Sequence, residues 1–348
     1  MSFVQQQKLR CEGSMIISEA PFRISLGGGG TDLPSYYKKY GGFLISGAIN
    51  KHIFVGANQQ FYDNYSLKYS KIEIVKKKED IQHKLIREAI KFLDIKPGIE
   101  ITSLADIPSK TGLGSSGAFL ISLLNTLHAY KGEEVSKRIL AEEACKIELE
   151  ILKEHEGKQD KYVSAFGGVK AYIFYRNGKV SVQPLRDADL ILSTLNDNLL
   201  LFFTGFKREN TASDALKEQD TLLHLQNEDM VNKMNSIKEI GIQTKKLLEK
   251  GEFDAFGSLL DKHWKIKKQY SKQSTNPLID NVYNKALKIG AFGGKTIGAP
   301  GGGFLVFYVK NNHKTFIKEM ERMSLHHVPF EFEKEGVRKT TKERFYGI

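Results

Sequence analysis

The order of predicted strands and helices allows a two-domain α+β fold in which each domain is an antiparallel or mixed sheet covered by helices. Short runs rich in β-branched and aromatic residues dominate the first half, whereas helical periodicity dominates residues 211–289. Each half also carries a glycine-rich loop beside a predicted strand, at 107–117 and 296–303. At 348 residues the chain is long enough for one large core or two ordinary ones.

We expect the domain boundary near 185–197. The polar segment 1–14 is predicted to be a disordered extension or tag, because it lacks the apolar core of a signal peptide. Residues 15–190 then form the first domain and 191–348 the second.

The first predicted strand, 15–26, runs into four consecutive glycines at 27–30. Apolar residues alternate with Arg23 and Ser25 in its second half, so Arg23 points away from the apolar side. A glycine run loses much backbone entropy on folding, so either a partner approaches that backbone closely or the turn is extreme. Gly29, Gly30, Thr31 and Asp32 then form a candidate site for sugar hydroxyls; a flexible turn with a helix N-cap is the simpler interpretation.

Strands and one helix fill the stretch up to the first loop. The strands are predicted at 43–49, 52–58, 65–69, 71–76 and 99–104, and the helix at 80–94.

The segment IPSKTGLGSSGAFL, residues 107–120, joins the strand at 99–104 to an apolar helix. Its glycines, Gly112, Gly114 and Gly117, let the backbone approach a ligand, and the helix start behind them leaves N–H groups free. Such a place can hold a phosphate. The hydroxyls of Ser115 and Ser116 can reach a phosphate oxygen or a metal ion. A glycine-rich turn capped by serine is the alternative.

Three familiar phosphate loops do not match this segment. A dinucleotide fold places its first glycine directly after the strand, whereas the polar residues 105–111 intervene here. No set of protein-kinase motifs accompanies the glycines. A Walker loop ending at Gly294-Lys295-Thr296 would need a glycine where Ile289 stands.

The predicted helix at 135–154 carries a carboxylate within its apolar stripe. The residues Ala141, Ala144, Cys145, Glu148 and Leu152 recur at helical spacing. A buried carboxylate is costly without a partner, so Glu148 is a candidate metal ligand or half of an ion pair; a glutamate at the margin of the stripe is the alternative. Asp160 follows a charged turn, and its simplest interpretation is a helix N-cap.

The second half is predicted to contain the longer helices. Strands at 169–175 and 179–184 precede apolar runs at 190–195 and 199–204; helices follow at 211–250, 252–272 and 277–289, then the second glycine loop, a strand at 304–309, a helix at 313–323 and a strand at 328–333.

Composition narrows the class of protein. The net charge is +11 and the isoelectric point about 9.3, but the lysines are spread along the chain, which favours small anions over nucleic acid as partners. Two cysteines exclude a disulfide framework. No apolar run approaches membrane-spanning length, so we expect a cytoplasmic protein without a membrane partner.

Four segments, in order, resemble the GHMP kinases, named for galactokinase, homoserine kinase, mevalonate kinase and phosphomevalonate kinase. The segments are APFRISLGGGGTDLP at 20–34, PSKTGLGSSGAF at 108–119, GKQDKYVSAFGG at 157–168 and IGAPGGGF at 297–304. The resemblance implies a first domain like ribosomal protein S5, a ferredoxin-like second domain and an active site in the cleft between them.

The resemblance also implies roles for these residues. The loop Gly112, Leu113, Gly114, Ser115, Ser116 and Gly117 would hold the ATP triphosphate, with Ser115 and Glu148 the expected Mg²⁺ contacts. Asp160 would accept the proton of the substrate hydroxyl. Arg23 would keep Asp160 ionised and stabilise the transferred phosphoryl group. Gly301 and Gly302 would lie near the substrate.

The first motif departs from galactokinase, because Gly28 to Gly30 replace the glutamate and histidine found there. GGGGTDLP with GKQDKY instead resembles the bacterial heptose kinases, which implies a sugar that already carries a phosphate; L-fucokinase domains are the alternative. Arg208, beside Lys207, is the first candidate for holding that phosphate, and Lys51 is the second. A nucleotide-binding regulator and a nucleic-acid-binding protein are remote alternatives. The oligomeric state stays open, a homodimer included.

Overall fold

The computed structural model describes residues 15–205, 212–270, 274–298 and 303–342, which form two sheets with helices packed against them. The strands are β1 (Met15–Gly27), β2 (Gly42–Gln59), β3 (Tyr65–Lys68), β4 (Ile72–Val75), β5 (Ile99–Ala105), β6 (Val169–Phe174), β7 (Val180–Pro184), β8 (Leu199–Phe203), β9 (Ala291–Thr296), β10 (Phe304–Val309), β11 (His326–His327) and β12 (Arg338–Lys342).

The helices lie between these strands in both halves. They are α1 (Pro34–Tyr40), α2 (Lys84–Phe92), α3 (Ser115–Tyr130), α4 (Lys137–Cys145), α5 (Gln159–Phe166), α6 (Ala188–Asn198), α7 (Ala212–His224), α8 (Glu228–Glu249), α9 (Phe253–Lys267), α10 (Pro277–Lys288) and α11 (His313–Glu321), with a 3-10 turn at Lys78–Asp80 and a π-helical turn at Lys146–Ile151.

The first sheet is mixed and is built around β2. This strand is long enough to pair with β6 through residues 42–47 and with β5 through residues 53–59, and it pairs with β1 along much of its length. β1 continues through Pro21 with an irregularity in register at that point. The pairing of β3 with β5 is parallel, and the other pairings given for this sheet are antiparallel.

The second sheet is antiparallel in the order β11-β8-β10-β9. Its core packs aromatic side chains of the strands, such as Phe202 and Phe307, against Trp264 of α9 and Phe316 of α11. The predicted two-part α+β fold is therefore confirmed.

The end of the chain returns to the first half. β12 pairs with β1 in the register Met15 to Lys342, and Phe330, Phe332 and Val337 belong to the first core. The predicted strand at 328–333 is wrong: its ladder is reduced to a single bridge from Phe332 to Ile49. The boundary near 190 stays a prediction, but the segment 191–348 does not keep to the second sheet.

The four-glycine run explains how the two halves meet. A Cβ on Gly27 would lie 2.4 Å from Thr244 Oγ1 of α8, and one on Gly241 of α8 would lie 3.0 Å from Gly28 Cα. Gly28 also has a φ of 81°, which favours glycine. The close approach expected from the sequence is therefore made by a helix of the second half.

Within the described residues, no helix combines the length and the apolar character needed to cross a membrane.

Candidate active site

An ion pair between the buried Arg23 and the partly buried Asp160 lines a cavity between the two halves. β1 directs Arg23 away from the core of the first sheet, as the alternation predicts, and α5 presents Asp160 from its first turn. Arg23 Nε is 2.6 Å from Asp160 Oδ1, and Arg23 Nη1 donates to the carbonyl of Gly112 at 2.6 Å. The guanidinium therefore holds the carboxylate and the glycine loop in one fixed arrangement.

The glycine loop ends at the open N-terminus of α3. Gly112 and Gly114 have φ values of 101° and 82°, and no side chain caps the first turn that starts at Ser115. Its free backbone N–H groups and the positive end of the helix dipole face the cavity, an arrangement that binds phosphate oxygens. Gly112, Gly114, Ser115 and Ser116 all line the cavity.

Close packing of α3 against α5 requires Gly117. A Cβ at this position would lie 2.6 Å from Asp160 Cβ and 3.1 Å from Lys161 N. The absence of a side chain thus brings the phosphate loop against the carboxylate.

Glu148 contacts a serine and a lysine. It lies on the π-helical turn, is 2% exposed, accepts a hydrogen bond from Ser116 Oγ and forms an ion pair with Lys161. Burial opposes the charge on Lys161, but the Glu148 and Glu156 carboxyl groups outweigh it and raise the pKa of this ammonium above its usual value. The sequence expectation paired Ser115 with Glu148, whereas Ser116 is the serine that contacts it.

The donor set of Ser116 and Glu148 suits a magnesium ion. A hydroxyl and a carboxylate are the hard oxygen ligands that Mg²⁺ prefers, and this ion often takes few protein ligands beside substrate phosphates. Both residues line the cavity next to the phosphate loop. No group of three or more histidine, cysteine, aspartate or glutamate side chains suited to a metal occurs in the described ranges.

Glu156 is a further carboxyl group on the cavity wall, and the sequence analysis missed it. Burial and the charges of Glu148 and Asp160 raise its pKa to about 8. The sequence signal for Glu156 is its position between Glu148 and Asp160.

The first motif supports the cavity and also contributes to it. Thr31 is fully buried; its hydroxyl donates to the carbonyls of Gly28 and Phe43, so it stabilises the turn and is not free for a sugar. Asp32 lines the cavity with Gly29 and Gly30, although its carboxylate accepts from the backbone N–H groups of Gln159 and Gly30 at 2.8 and 3.1 Å. Burial raises the pKa of Asp32.

The second half adds a group of basic residues that the sequence analysis did not assign. His263 and Lys267 lie four residues apart on α9, and Lys295 lies on β9; all three line the cavity. Lys295 Nζ is 3.2 Å from His263 Nδ1. The available signals were the i, i+4 spacing on one helix face and a lysine directly before the second glycine loop.

The cavity between the halves measures about 700 Å³ and suits a nucleotide with a small acceptor. The first half contributes an aromatic wall, in which the ring of His83 makes an edge contact with Tyr69 and a tilted contact with Phe119, at 4.8 and 5.1 Å between centroids. Three predicted substrate contacts, Arg208, Gly301 and Gly302, lie outside the described residues.

A helix start suited to anions, an arginine–aspartate pair and a cleft between two α+β halves suit the transfer of a phosphoryl group. Residues 81–168 match the sequence profile of the GHMP kinases N terminal domain. D-glycero-alpha-D-manno-heptose 7-phosphate kinase of Campylobacter jejuni subsp. jejuni serotype O:2 is 31% identical over 343 residues, covering 93% of this chain and 98% of that protein. The chain therefore belongs to the GHMP kinase family, whose kinases use ATP.

Two further relatives bear on the fold and the acceptor. L-fucokinase/L-fucose-1-P guanylyltransferase of Bacteroides fragilis is 25% identical over 335 residues, covering 85% of this chain and 35% of that protein. The crystal structure of a D-glycero-D-manno-heptose 1-phosphate kinase from Bacteriodes thetaiotaomicron superposes with a TM-score of 0.74 at 24% identity, covering 93% of this chain and 98% of that one. At that identity the superposition shows the fold alone.

Proposed function

We propose that the protein transfers the γ-phosphoryl group of ATP to the anomeric hydroxyl of D-glycero-D-manno-heptose 7-phosphate, giving heptose 1,7-bisphosphate and ADP. The product would serve the synthesis of nucleotide-activated heptose for surface polysaccharide. The observation that carries the chemistry is the Arg23–Asp160 pair beside the open start of α3. The heptose kinase relative, similar over almost the whole of both chains, supports the acceptor.

In this mechanism Asp160 positions the acceptor hydroxyl and takes its proton as the oxygen attacks the γ-phosphorus. A bond forms between the sugar oxygen and the phosphorus, and the bond from the phosphorus to the bridging oxygen of ADP breaks. Arg23 faces both the carboxylate and the phosphate loop, so its charge stabilises the negative charge that develops on the transferred group.

The loop from Gly112 to Gly117 would bind the triphosphate, and the aromatic wall of Tyr69, His83 and Phe119 would receive the adenine. Ser116 and Glu148 would hold Mg²⁺, with Ser115 beside them. The ion would supply charge neutralisation on the phosphate oxygens.

The test is ADP release from Mg²⁺-ATP with heptose 7-phosphate, mannose, L-fucose, galactose and mevalonate as acceptors. We expect turnover of the heptose phosphate, and a loss of about 10²–10⁴-fold in kcat for Asp160→Asn because general-base catalysis contributes that much. Asp197→Asn, at an exposed position on α6, is the matched control and is expected to keep full activity.

Other outcomes would revise separate parts of the proposal. Turnover of L-fucose without turnover of the heptose phosphate would replace the acceptor and favour the fucokinase alternative, which the Bacteroides fragilis relative supports. Full activity of Asp160→Asn would remove the base from the mechanism. ATP binding without turnover of any acceptor would favour a regulator.

A further inference from the structure

Lys295 is a buried lysine without a carboxylate partner among the described residues. Its side chain lines the cavity and is 2% exposed. Among the described residues, no carboxylate lies within ion-pair distance, and the neighbour of its ammonium group is the neutral acceptor His263 Nδ1. Burial and the nearby charges of Lys267 and Arg23 lower the pKa of Lys295 well below its usual value. Burying such a group costs stability unless an anion completes the site.

Two hydroxyl groups around the same part of the cavity are also unsatisfied. Thr296 follows Lys295 on β9, and Tyr270 comes one turn after Lys267; both line the cavity and are less than 7% exposed. Within the described part of the chain, neither Thr296 Oγ1 nor Tyr270 Oη has a hydrogen-bond partner. Buried polar groups rarely remain unpaired, so these hydroxyls indicate a ligand that supplies acceptors.

These groups all belong to the second half of the chain. The phosphate loop for ATP belongs to the first half, whereas Lys295, Thr296 and His263 belong to the second sheet and its helix. Tyr270 packs in the cluster that contains Leu33 and Tyr36, directly after the first motif with Gly30 and Asp32. Lys267 Nζ donates to the carbonyls of Thr296 and Gly298, which fixes the loop that follows Lys295.

We propose that Lys295, with Thr296 and His263, binds the phosphate group that the acceptor sugar already carries. The inference rests on the proposed function, because it presumes a phosphorylated acceptor. It assigns to described residues the role that the sequence analysis gave to Arg208. A dianionic phosphate would pair with the ammonium group and accept hydrogen bonds from the unsatisfied hydroxyl of Thr296.

The test compares two acceptors, heptose 7-phosphate and the same heptose without its phosphate, in wild type and in Lys295→Met. Methionine keeps the length and removes the charge. We expect kcat/KM for the phosphorylated sugar to fall about 10–100-fold, as for a lost charged hydrogen bond, while kcat/KM for the unphosphorylated sugar and KM for ATP change less than about twofold. Lys288→Met, exposed on α10, is the matched control.

Thr296→Val is a second, nearly isosteric variant that removes only a hydroxyl. We expect it to lower kcat/KM for the phosphorylated acceptor selectively, and by a smaller factor than Lys295→Met does. Thermal unfolding gives a readout independent of activity: Lys295→Met should melt above wild type without ligand, and inorganic phosphate should raise Tm of wild type more than that of the variant.

The outcomes separate this inference from the proposed function. If Lys295→Met lowers kcat/KM equally for both acceptors, Lys295 acts on the transferred phosphoryl group or on folding. That result overturns the inference and leaves the proposed function standing. A lower Tm for Lys295→Met together with an unchanged phosphate-induced shift would also overturn it. If wild type does not use the phosphorylated sugar, the proposed function and the inference both fail.

Discussion

At the scale of single residues, the active cleft holds a carboxyl group that is protonated at neutral pH. Glu156 lines the cavity near two other carboxylates, Glu148 and Asp160, and its pKa is raised to about 8. In an unfolded chain a glutamate titrates near pH 4.3. The folded protein therefore binds this proton more tightly than the unfolded chain, and stability from this site is complete below pH 4 and is lost as pH rises through 8.

Glu156→Gln removes this titration. We expect the difference in unfolding free energy, variant minus wild type, to grow in favour of the variant between about pH 4.5 and pH 8 and then to level off. Urea unfolding at a series of pH values measures it. Glu239→Gln, an exposed glutamate on α8, should give a flat difference over the same range. A flat difference for Glu156→Gln would mean that the carboxyl is ionised throughout.

The direction or burial of a side chain could be predicted where residues alternate along a strand or where a charged residue interrupts an apolar stripe. The alternation in β1 correctly predicted that Arg23 faces away from the apolar side, and helical spacing correctly predicted a buried Glu148. Spacing could not identify Lys161 as its partner, because that contact depends on how α5 packs against the turn at 146–151. Thr31 was misjudged because nothing local reveals that the carbonyl of Phe43 accepts from its hydroxyl.

At the scale of elements, the segment carrying Glu148 is not the continuous α-helix that its periodicity predicts. α4 ends at Cys145, and Lys146–Ile151 continues as a π-helical turn. A π-helical turn widens the helix locally and is often found at functional sites. Periodicity over a few residues cannot separate 3.6 from slightly wider turns, so the side-chain stripe was predicted correctly and the backbone was not.

The close contact between α3 and α5 makes Gly117 sensitive to substitution. Gly117→Ala would place a methyl carbon against Asp160 Cβ, so one helix must shift. We expect a loss of about 1–3 kcal/mol in unfolding free energy, typical of overpacking, together with reduced kcat because the phosphate loop moves relative to Asp160. Ser236→Ala, at an exposed position on α8, is the control. Wild-type stability and kcat for Gly117→Ala would contradict the packing argument.

At the scale of the whole molecule, residues late in the chain pack in the core of the first half. Phe332 is 6% exposed; its ring packs on Gly47 of the first half and forms an edge contact with Phe330. The glycine run of the first half in turn packs on α8 of the second. The two halves are therefore joined through the segment around Phe332 and through α8.

Phe332→Ala tests this connection. Removing a buried aromatic ring should lower the unfolding free energy by about 3–5 kcal/mol. Phe61, which is 95% exposed, provides the matched control, and Phe61→Ala is expected to stay within about 0.5 kcal/mol of wild type. Chemical denaturation followed by tryptophan fluorescence and circular dichroism measures both. Equal, small effects for the two variants would show that the C-terminal segment contributes little to the first core.

The overall architecture could be predicted mainly because four ordered motifs resemble those of a known kinase family, whereas the order of strands and helices only allowed it. The pairing of β12 with β1 could not be predicted from the sequence. RKTTK at 338–342 has no apolar alternation, and its partner lies more than 300 residues earlier. The role of Lys295 was equally hidden, because a lysine before a glycine loop becomes informative only when the structure shows its burial.

The pairing of β12 with β1 joins two segments that are synthesised far apart in time. The strand that carries Arg23 leaves the ribosome more than 300 residues before its edge partner. Domains generally fold as the nascent chain appears, and pairings between distant segments form slowly. The first sheet therefore keeps an open edge until β12 has been made, and that edge exposes a stalled or truncated chain to aggregation.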